Sequence, residues 1–105
     1  MEKIDNPCKR DMIVELGKIK PFNNKCKVTG QLEECNIEVT YVPDKYVLEL
    51  GSYREFFKEG FNMYIEEMCE HVYNHLTNLL EPKTLHVKIF LTEETLTPWS
   101  VEMIL

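Results

Sequence analysis

Between Cys35 and the last strand-like stretch, the spacing of apolar residues changes from two to about three and a half, and then back to two. Cys35, Ile37, Val39 and Tyr41 alternate with polar neighbours, as side chains do when they line one face of a pleated strand. Ile65, Met68, Cys69, Val72, Leu76, Leu79 and Leu80 fall instead on a single helical stripe that Pro82 ends. Leu85, Val87, Ile89 and Leu91 return to alternation, followed by Trp99, Val101, Met103 and Leu105. Strands covered on one face by a helix define an α+β layer architecture with an antiparallel sheet.

Smaller signals fill in the order. Pro43-Asp44-Lys45 reads as a turn, and Tyr46–Leu50 as a strand pairing with 35–41 in a hairpin. Ser52 followed by Glu55 has capping-box spacing and predicts a short helix that Gly60 closes, with a long helix from about Phe61 to Leu80. Residues 1–33 read irregularly, apart from a short strand around Met12–Leu16, and the Pro-Phe-Asn-Asn run at 21–24 reads as a break. The expected order is therefore hairpin, two helices, hairpin. The 105 residues make one domain with a modest core. An apolar final strand ending in Leu105 suggests that a sheet edge meets a neighbouring subunit.

Charge and cysteine content narrow the class. A net charge of −6 with dispersed acids disfavours broad attraction to nucleic acid or anionic lipid. The dense basic stretch holds Lys18, Lys20, Lys25 and Lys27. No apolar run is long enough for a membrane helix, and the charged start MEKIDNPCKRDM does not resemble a secretory signal, so a cytoplasmic protein is expected. The cysteines at 8, 26, 35 and 69 form no C-x-x-C pair and are read as thiols. Cys8 and Cys69 read as structural and Cys35 as core. His71 and His75, one turn apart with Glu67 a turn earlier, have metal-competent spacing, but they read as a solvated helix face, and no metal is expected.

One segment carries chemistry. "KCKVTGQLEE", residues 25–34, sets a cysteine between two lysines and seven residues ahead of Glu33, with Glu34 adjacent. Lysines beside a thiol favour the thiolate, and a nearby carboxyl can move a proton.

With these elements in order, the chain resembles the 7-cyano-7-deazaguanine reductases. Their ββααββ unit is the tunnelling fold (T-fold), whose members close sheets into oligomeric barrels and bind purine- or pterin-like bases between subunits. "CKVTGQLE" (26–33) is similar to the family's Cys-x-Val-Thr-Gly-Gln-x-Asp segment, and "YVPDK" (41–45) to its next turn. "ELGSYREF" (49–56) lies where the family carries Glu-Ser-Lys-Ser-x-Lys. "EEMCEHVYNHLTNLLEPKTLHV" (66–87) resembles its long helix and following strand.

The resemblance implies that Cys26 adds to the substrate nitrile as a thioimide, with Glu33 as the acid. It also implies that Glu49, Leu50, Ser52 and Glu66 contact the deazaguanine. The departures lie in the nicotinamide-cofactor half. Gly51 and Arg54 occupy the positions of the family's two lysines, Glu93 and Glu94 lie where a basic residue binds NADPH, and Ile65 replaces a histidine. That pattern is similar to the reductase-like amidinotransferases of the archaeosine pathway, in which ammonia attacks the thioimide. The implied reading is an amidine-forming enzyme without a cofactor. It would act on 7-cyano-7-deazaguanine, as the base or within tRNA, and work as a homo-oligomer with intersubunit sites. An NADPH-dependent nitrile reductase and a catalytically silent base-binding module are the alternatives.

Overall fold

The structure is a computed structural model, and it describes residues 1–92 and 98–104. Nine elements follow one another: β1 (Lys3–Asp5), β2 (Val14–Leu16), β3 (Phe22–Lys25), β4 (Leu32–Val42), β5 (Tyr46–Leu48), α1 (Leu50–Phe56), α2 (Ile65–Leu80), β6 (Thr84–Leu91) and β7 (Ser100–Ile104). The main sheet runs β2-β4-β6-β7, and β3 continues beside β4 along the same edge as β2. All of these pairings are antiparallel. The α+β class, the short strand near residue 14, the long strand from 35 and the β6–β7 pair are as the sequence predicts.

The first hairpin lies one step upstream of its expected place. Residues 46–48 do not pair with β4; they pair with β1, Lys3 opposite Leu48, in a separate two-stranded sheet. The partner of β4 is instead β3, with Phe22 opposite Cys35 and Lys25 opposite Leu32. The Pro-Phe-Asn-Asn run is therefore a strand, not a break. Its alternation was hidden because a polar residue, Asn24, shares the inward face with Phe22. The ββααββ order survives, with residues 26–31 as the turn of its opening hairpin.

The helix starts also differ from expectation. Ser52 and Glu55 do not cap α1: Glu49 does, accepting from the backbone N–H groups of Gly51 and Ser52, while Glu55 faces Lys58 at the surface. Leu50 is the first residue of this helix, not the end of a strand. The long helix begins at Ile65, where the Glu67 carboxylate accepts from the Tyr64 N–H. Residues 61–64 precede it, and Phe61 bridges to Asn24.

Helix α2 buries Met68, Cys69, Val72, Leu76 and Leu80 against the inward residues of β4 and β6. Helix α1 is joined to this core by rings: Phe57 lies 4.9 Å from Phe22 and 5.2 Å from Tyr53. Leu76 is completely buried in the middle of α2. Leu76→Ala is expected to lower stability by about 2–5 kcal/mol, because the lost contacts leave a cavity that the packed sheet cannot close. Urea unfolding followed by circular dichroism measures it.

Candidate active site

Cys26 sits in the turn between β3 and β4. Its N–H donates to the Gln31 carbonyl at 2.9 Å, and its own carbonyl accepts from Gly30 at 2.8 Å. Gly30 takes the left-handed conformation, φ 74°, that lets the chain reverse there. The turn is docked on the start of α2. Asn24, 1% exposed, donates to the Met63 carbonyl and accepts from the Met63 N–H. Lys25 donates its N–H to the Phe61 carbonyl.

Strand register puts two of the chemical residues on one face. Asn24 pairs with Glu33, and Cys26 lies two residues beyond Asn24, so Cys26, Asn24 and Glu33 share a side. The Glu33 charge acts on the thiol, and Glu33 Oε2 is buried with no hydrogen-bond partner among the described residues. A buried carboxylate oxygen without a partner is costly to leave bare, so its most economical explanation is a ligand or proton partner. Glu34 points the other way, accepting from the Thr92 hydroxyl at 2.9 Å. Of the two adjacent acids, Glu33 is the one beside the cysteine.

The Cys26 thiol is held below its ordinary pKa. The largest cause is the Thr29 hydroxyl, followed by the Thr29 and Val28 backbone N–H groups; slight desolvation and the Glu33 charge oppose them. The flanking lysines do not cause the shift. Lys27 is turned to Glu67 at 3.2 Å and lies over the Tyr64 ring. Thr29→Val removes the strongest donor and is expected to move the midpoint of iodoacetamide alkylation to higher pH, measured by mass spectrometry across a pH series.

The remaining predicted residues fall into two groups. Glu66 is exposed in the first turn of α2, next to Glu67, and so on the element against which the Cys26 turn docks. Glu49, Leu50 and Ser52 stand at the other end of α1. The Glu49 carboxylate is fixed by Gly51 N–H at 2.9 Å and Ser52 N–H at 2.6 Å, which hold it below the usual carboxylate range and so ionised. It borders a shallow cleft of about 510 Å³ that Glu2, Ser52, Glu55 and Phe56 also line. The Ser52 hydroxyl donates to the Glu49 carbonyl and accepts from the Glu2 N–H, and Leu50 is half exposed.

Of the other thiols, Cys69 and Cys35 are in the core, and burial pushes the Cys69 thiol up to about 11. Cys8 is exposed rather than packed. Among the described residues no cluster of three potential ligands forms a metal site. His71 and His75 flank the Phe56 ring instead. No helix of the described residues is long and apolar enough to cross a membrane.

No protein-family model matches the chain. It is 33% identical over 81 residues to the NADPH-dependent 7-cyano-7-deazaguanine reductase of Chlorobium phaeobacteroides (strain BS1), covering 74% of this chain and 67% of that protein. The reductase of Chlorobaculum parvum is 34% identical over 82 residues, covering 75% and 69%. The chain belongs to the 7-cyano-7-deazaguanine reductase family. Another member, from Aquifex aeolicus, is 33% identical over 84 residues, 78% of this chain and 64% of that one, so the chain spans about two thirds of these reductases. Among solved structures, the apo form of the archaeosine synthase QueF-Like superposes with a TM-score of 0.79 over 91% of this chain and 95% of that one, at 16% identity. The family is one of enzymes, and the shared architecture is the T-fold.

What the sequence missed is the support beneath the site. Asn24 has no chemical role in the motif, yet it ties the cysteine turn to α2. A polar residue at an inward strand position was the available signal.

Proposed function

We propose that this enzyme acts on the nitrile of a 7-cyano-7-deazaguanine group and converts it to an amidine with ammonia. The pairing of a pKa-lowered Cys26 with the unpartnered Glu33 oxygen carries the reading. The Glu33 carboxylate takes the Cys26 proton, and the resulting thiolate bonds to the nitrile carbon. One C–N π bond breaks, and its electrons go to nitrogen, which takes the Glu33 proton and leaves a thioimide. Ammonia then attacks the same carbon, the C–S bond breaks, and Cys26 leaves as thiolate. The ammonia nitrogen loses a proton, for which Glu33, now a carboxylate, is the acceptor. Nitrile plus ammonia gives amidine with nothing oxidised or reduced.

Base binding falls to Glu49 and Glu66, whose carboxylates suit the N–H and NH₂ edge of a guanine-like ring. The orientation of Glu49 by two backbone donors preorganises that grip. A single chain does not gather both halves, however. Glu49 follows the far end of β4, where Tyr41 meets Leu48, whereas Glu33 is eight residues away, roughly 26 Å of strand. A second copy of the chain that brings its Glu49 to this Cys26 completes the site. Val28 and Leu32, 77% and 59% exposed around the cysteine turn, support a covering partner there.

The residues present do not fit the nicotinamide cofactor named in the relatives. A side chain at Gly51, the position of the first cofactor lysine in the resemblance, would have its Cβ 3.0 Å from Glu49 Oε1. The capped carboxylate occupies that space, and Arg54 alone remains of the pair. The second reading, a nitrile reductase, rests on the names of the relatives.

Intact-mass spectrometry and product analysis decide among these. The free nitrile base adds its mass to the wild-type chain, and ammonium then releases an amidine. Release of an aminomethyl product with NADPH, and none with ammonium, makes the chain a reductase. Base binding without a mass gain makes it a silent module.

A further inference from the structure

Glu49 stands where a strand becomes a helix, and each of its polar groups is held. Its N–H donates to the Glu2 carbonyl at 3.0 Å, just past the last pair of the β1–β5 ladder. Its carboxylate oxygens accept from the Gly51 and Ser52 N–H groups. Its carbonyl accepts from the Tyr53 N–H at 3.1 Å and from the Ser52 hydroxyl at 2.8 Å.

Ser52 couples the two elements. In a regular antiparallel ladder the Glu2 N–H would return to the Glu49 carbonyl. Here it donates to the Ser52 hydroxyl at 2.8 Å, and that hydroxyl donates on to the Glu49 carbonyl. The first residues are anchored again at Asn6, whose backbone N–H and side-chain amide donate to the Lys45 and Asp44 carbonyls, both at 2.9 Å. Met1 and Glu2 also line the cleft of about 510 Å³ that Glu49 borders.

We propose that residues 1–6 are a strap that positions Glu49 for the base, with the Glu2 backbone and the Ser52 hydroxyl as its clasp. The proposal rests on the reading of Glu49 as a base-binding carboxylate. Ser52 is then a positioning residue, since its hydroxyl proton is spent on the Glu49 carbonyl. The strap acts before the base arrives. A free glutamate loses backbone and side-chain freedom when it grips a ligand, whereas one already fixed at its N–H, carbonyl and both oxygens does not. Each carboxylate oxygen keeps a second lone pair for the N–H edge of the base. Cys26 precedes the opposite end of β4 from the one that meets β5. The strap therefore sets how tightly the base is held and not how fast the thiolate adds.

The test uses the full chain and the free nitrile base. Bonds at Glu2–Glu49 and Asn6–Lys45 make Ile4–Val47, between them, a hydrogen-bonded pair by alternation. Ile4 is half exposed, so Ile4→Pro removes a ladder N–H at little packing cost, while Ile4→Ala keeps it. Ser52→Ala removes the relay and Ser52→Thr restores it. Base affinity is measured by calorimetry in a Cys26→Ala background, where no thioimide forms, and should fall about tenfold in Ile4→Pro and in Ser52→Ala. With Cys26 present, their adduct rate at saturating base and their alkylation midpoint should match wild type. Ile4→Ala and Ser52→Thr should bind like wild type. In a Glu49→Ala background Ile4→Pro should weaken binding no further, because the strap works through that carboxylate. Without base, hydrogen exchange read by NMR should speed about tenfold at the Gly51 and Ser52 N–H groups of Ile4→Pro, while α2 keeps its protection.

Unchanged exchange at Gly51 and Ser52 in Ile4→Pro overturns the strap, as does unchanged base affinity in both variants; an adduct in wild type then leaves the nitrile chemistry standing. A slower adduct at saturating base with a moved Cys26 midpoint also overturns it, since residues 1–6 would then be general support for the fold. If Ile4→Pro loses protection in α2 as well, Ser52→Ala read against Ser52→Thr decides by the same affinity and rate criteria. Weaker base binding in the strap variants, with no adduct in wild type, keeps the strap and removes the nitrile chemistry. A wild type that binds no base overturns both.

Discussion

Cys26→Ala is expected to form no adduct with the nitrile base and to lose essentially all turnover, and Glu33→Gln to lose about 10²–10⁴-fold in turnover while making its cysteine more reactive to alkylation near neutral pH. The opposed signs follow from the geometry. Thr29 and the backbone of the turn lower the thiol pKa, and the Glu33 charge raises it. Removing that charge lowers the thiol pKa further, so the alkylation midpoint moves to lower pH and the thiolate fraction at neutral pH rises. On the proposed mechanism the same substitution also removes the group that carries the proton to the nitrile nitrogen as charge builds there. Alkylation therefore reports the electrostatics alone, while turnover reports proton delivery. A structural role for Glu33 would depress both through disorder of the turn. Turnover of Glu33→Gln close to wild type would remove it from the mechanism, and an alkylation midpoint moved upward would contradict its position beside the sulfur.

The candidate site was marked out in the sequence more compactly than the fold was. Cys26, Thr29, Gly30 and Glu33 lie within one eight-residue segment, and local spacing largely sets their relative positions. The main core was equally readable, since burial on β4, α2 and β6 repeats at the period of each element. Failures came where hydrogen bonds choose a segment's partner without leaving a pattern in the sequence. Tyr41 accepts from the Leu48 N–H, Asn6 donates its N–H to the Lys45 carbonyl, and Glu49 donates its N–H to the Glu2 carbonyl. The last two bonds and the β1 ladder seat 45–49 on the first residues of the chain, the Tyr41 hydroxyl takes the Leu48 N–H in place of a ladder carbonyl, and no periodicity announces any of this. A hairpin was expected from 35 to 50 because the turn residues at 43–45 are favourable, but a favourable turn does not choose the partner strand. The cap of α1 was misassigned for a related reason. Ser52 and Glu55 have the right spacing, but the helix starts one turn earlier, where the charged Glu49 accepts from the free N–H groups of Gly51 and Ser52. The cation positions Glu93 and Glu94, and the terminal Leu105, lie outside the described residues.

Gly60→Ala is expected to be the most damaging single-methyl change outside the core. Gly60 has φ 73°, and a Cβ built there would stand 2.3 Å from the Asn23 carbonyl oxygen, a backbone atom of β3 that cannot rotate aside. The left-handed conformation alone costs an alanine about 1–2 kcal/mol. Relief of the overlap must also move either β3 or the 60–61 segment. That movement strains two backbone bonds, Phe61 N–H to the Asn23 carbonyl at 2.9 Å and Lys25 N–H to the Phe61 carbonyl at 2.7 Å. A total loss of roughly 3–5 kcal/mol follows, enough to lower Tm by about 10–20 °C in a domain of this size. The functional consequence reaches beyond stability, because those bonds set the register of the strand that ends at Cys26. At a temperature where Gly60→Ala is still folded, its adduct should form more slowly than in Leu76→Ala at matched fraction folded. Gly17→Ala supplies the control: nothing lies within 4 Å of its Cβ, so its Tm should stay within a degree or two of wild type. Equal Tm for Gly60→Ala and Gly17→Ala would mean that the 60–61 segment is not seated on β3. The cysteine turn would then owe its position to Asn24 and Met63 alone.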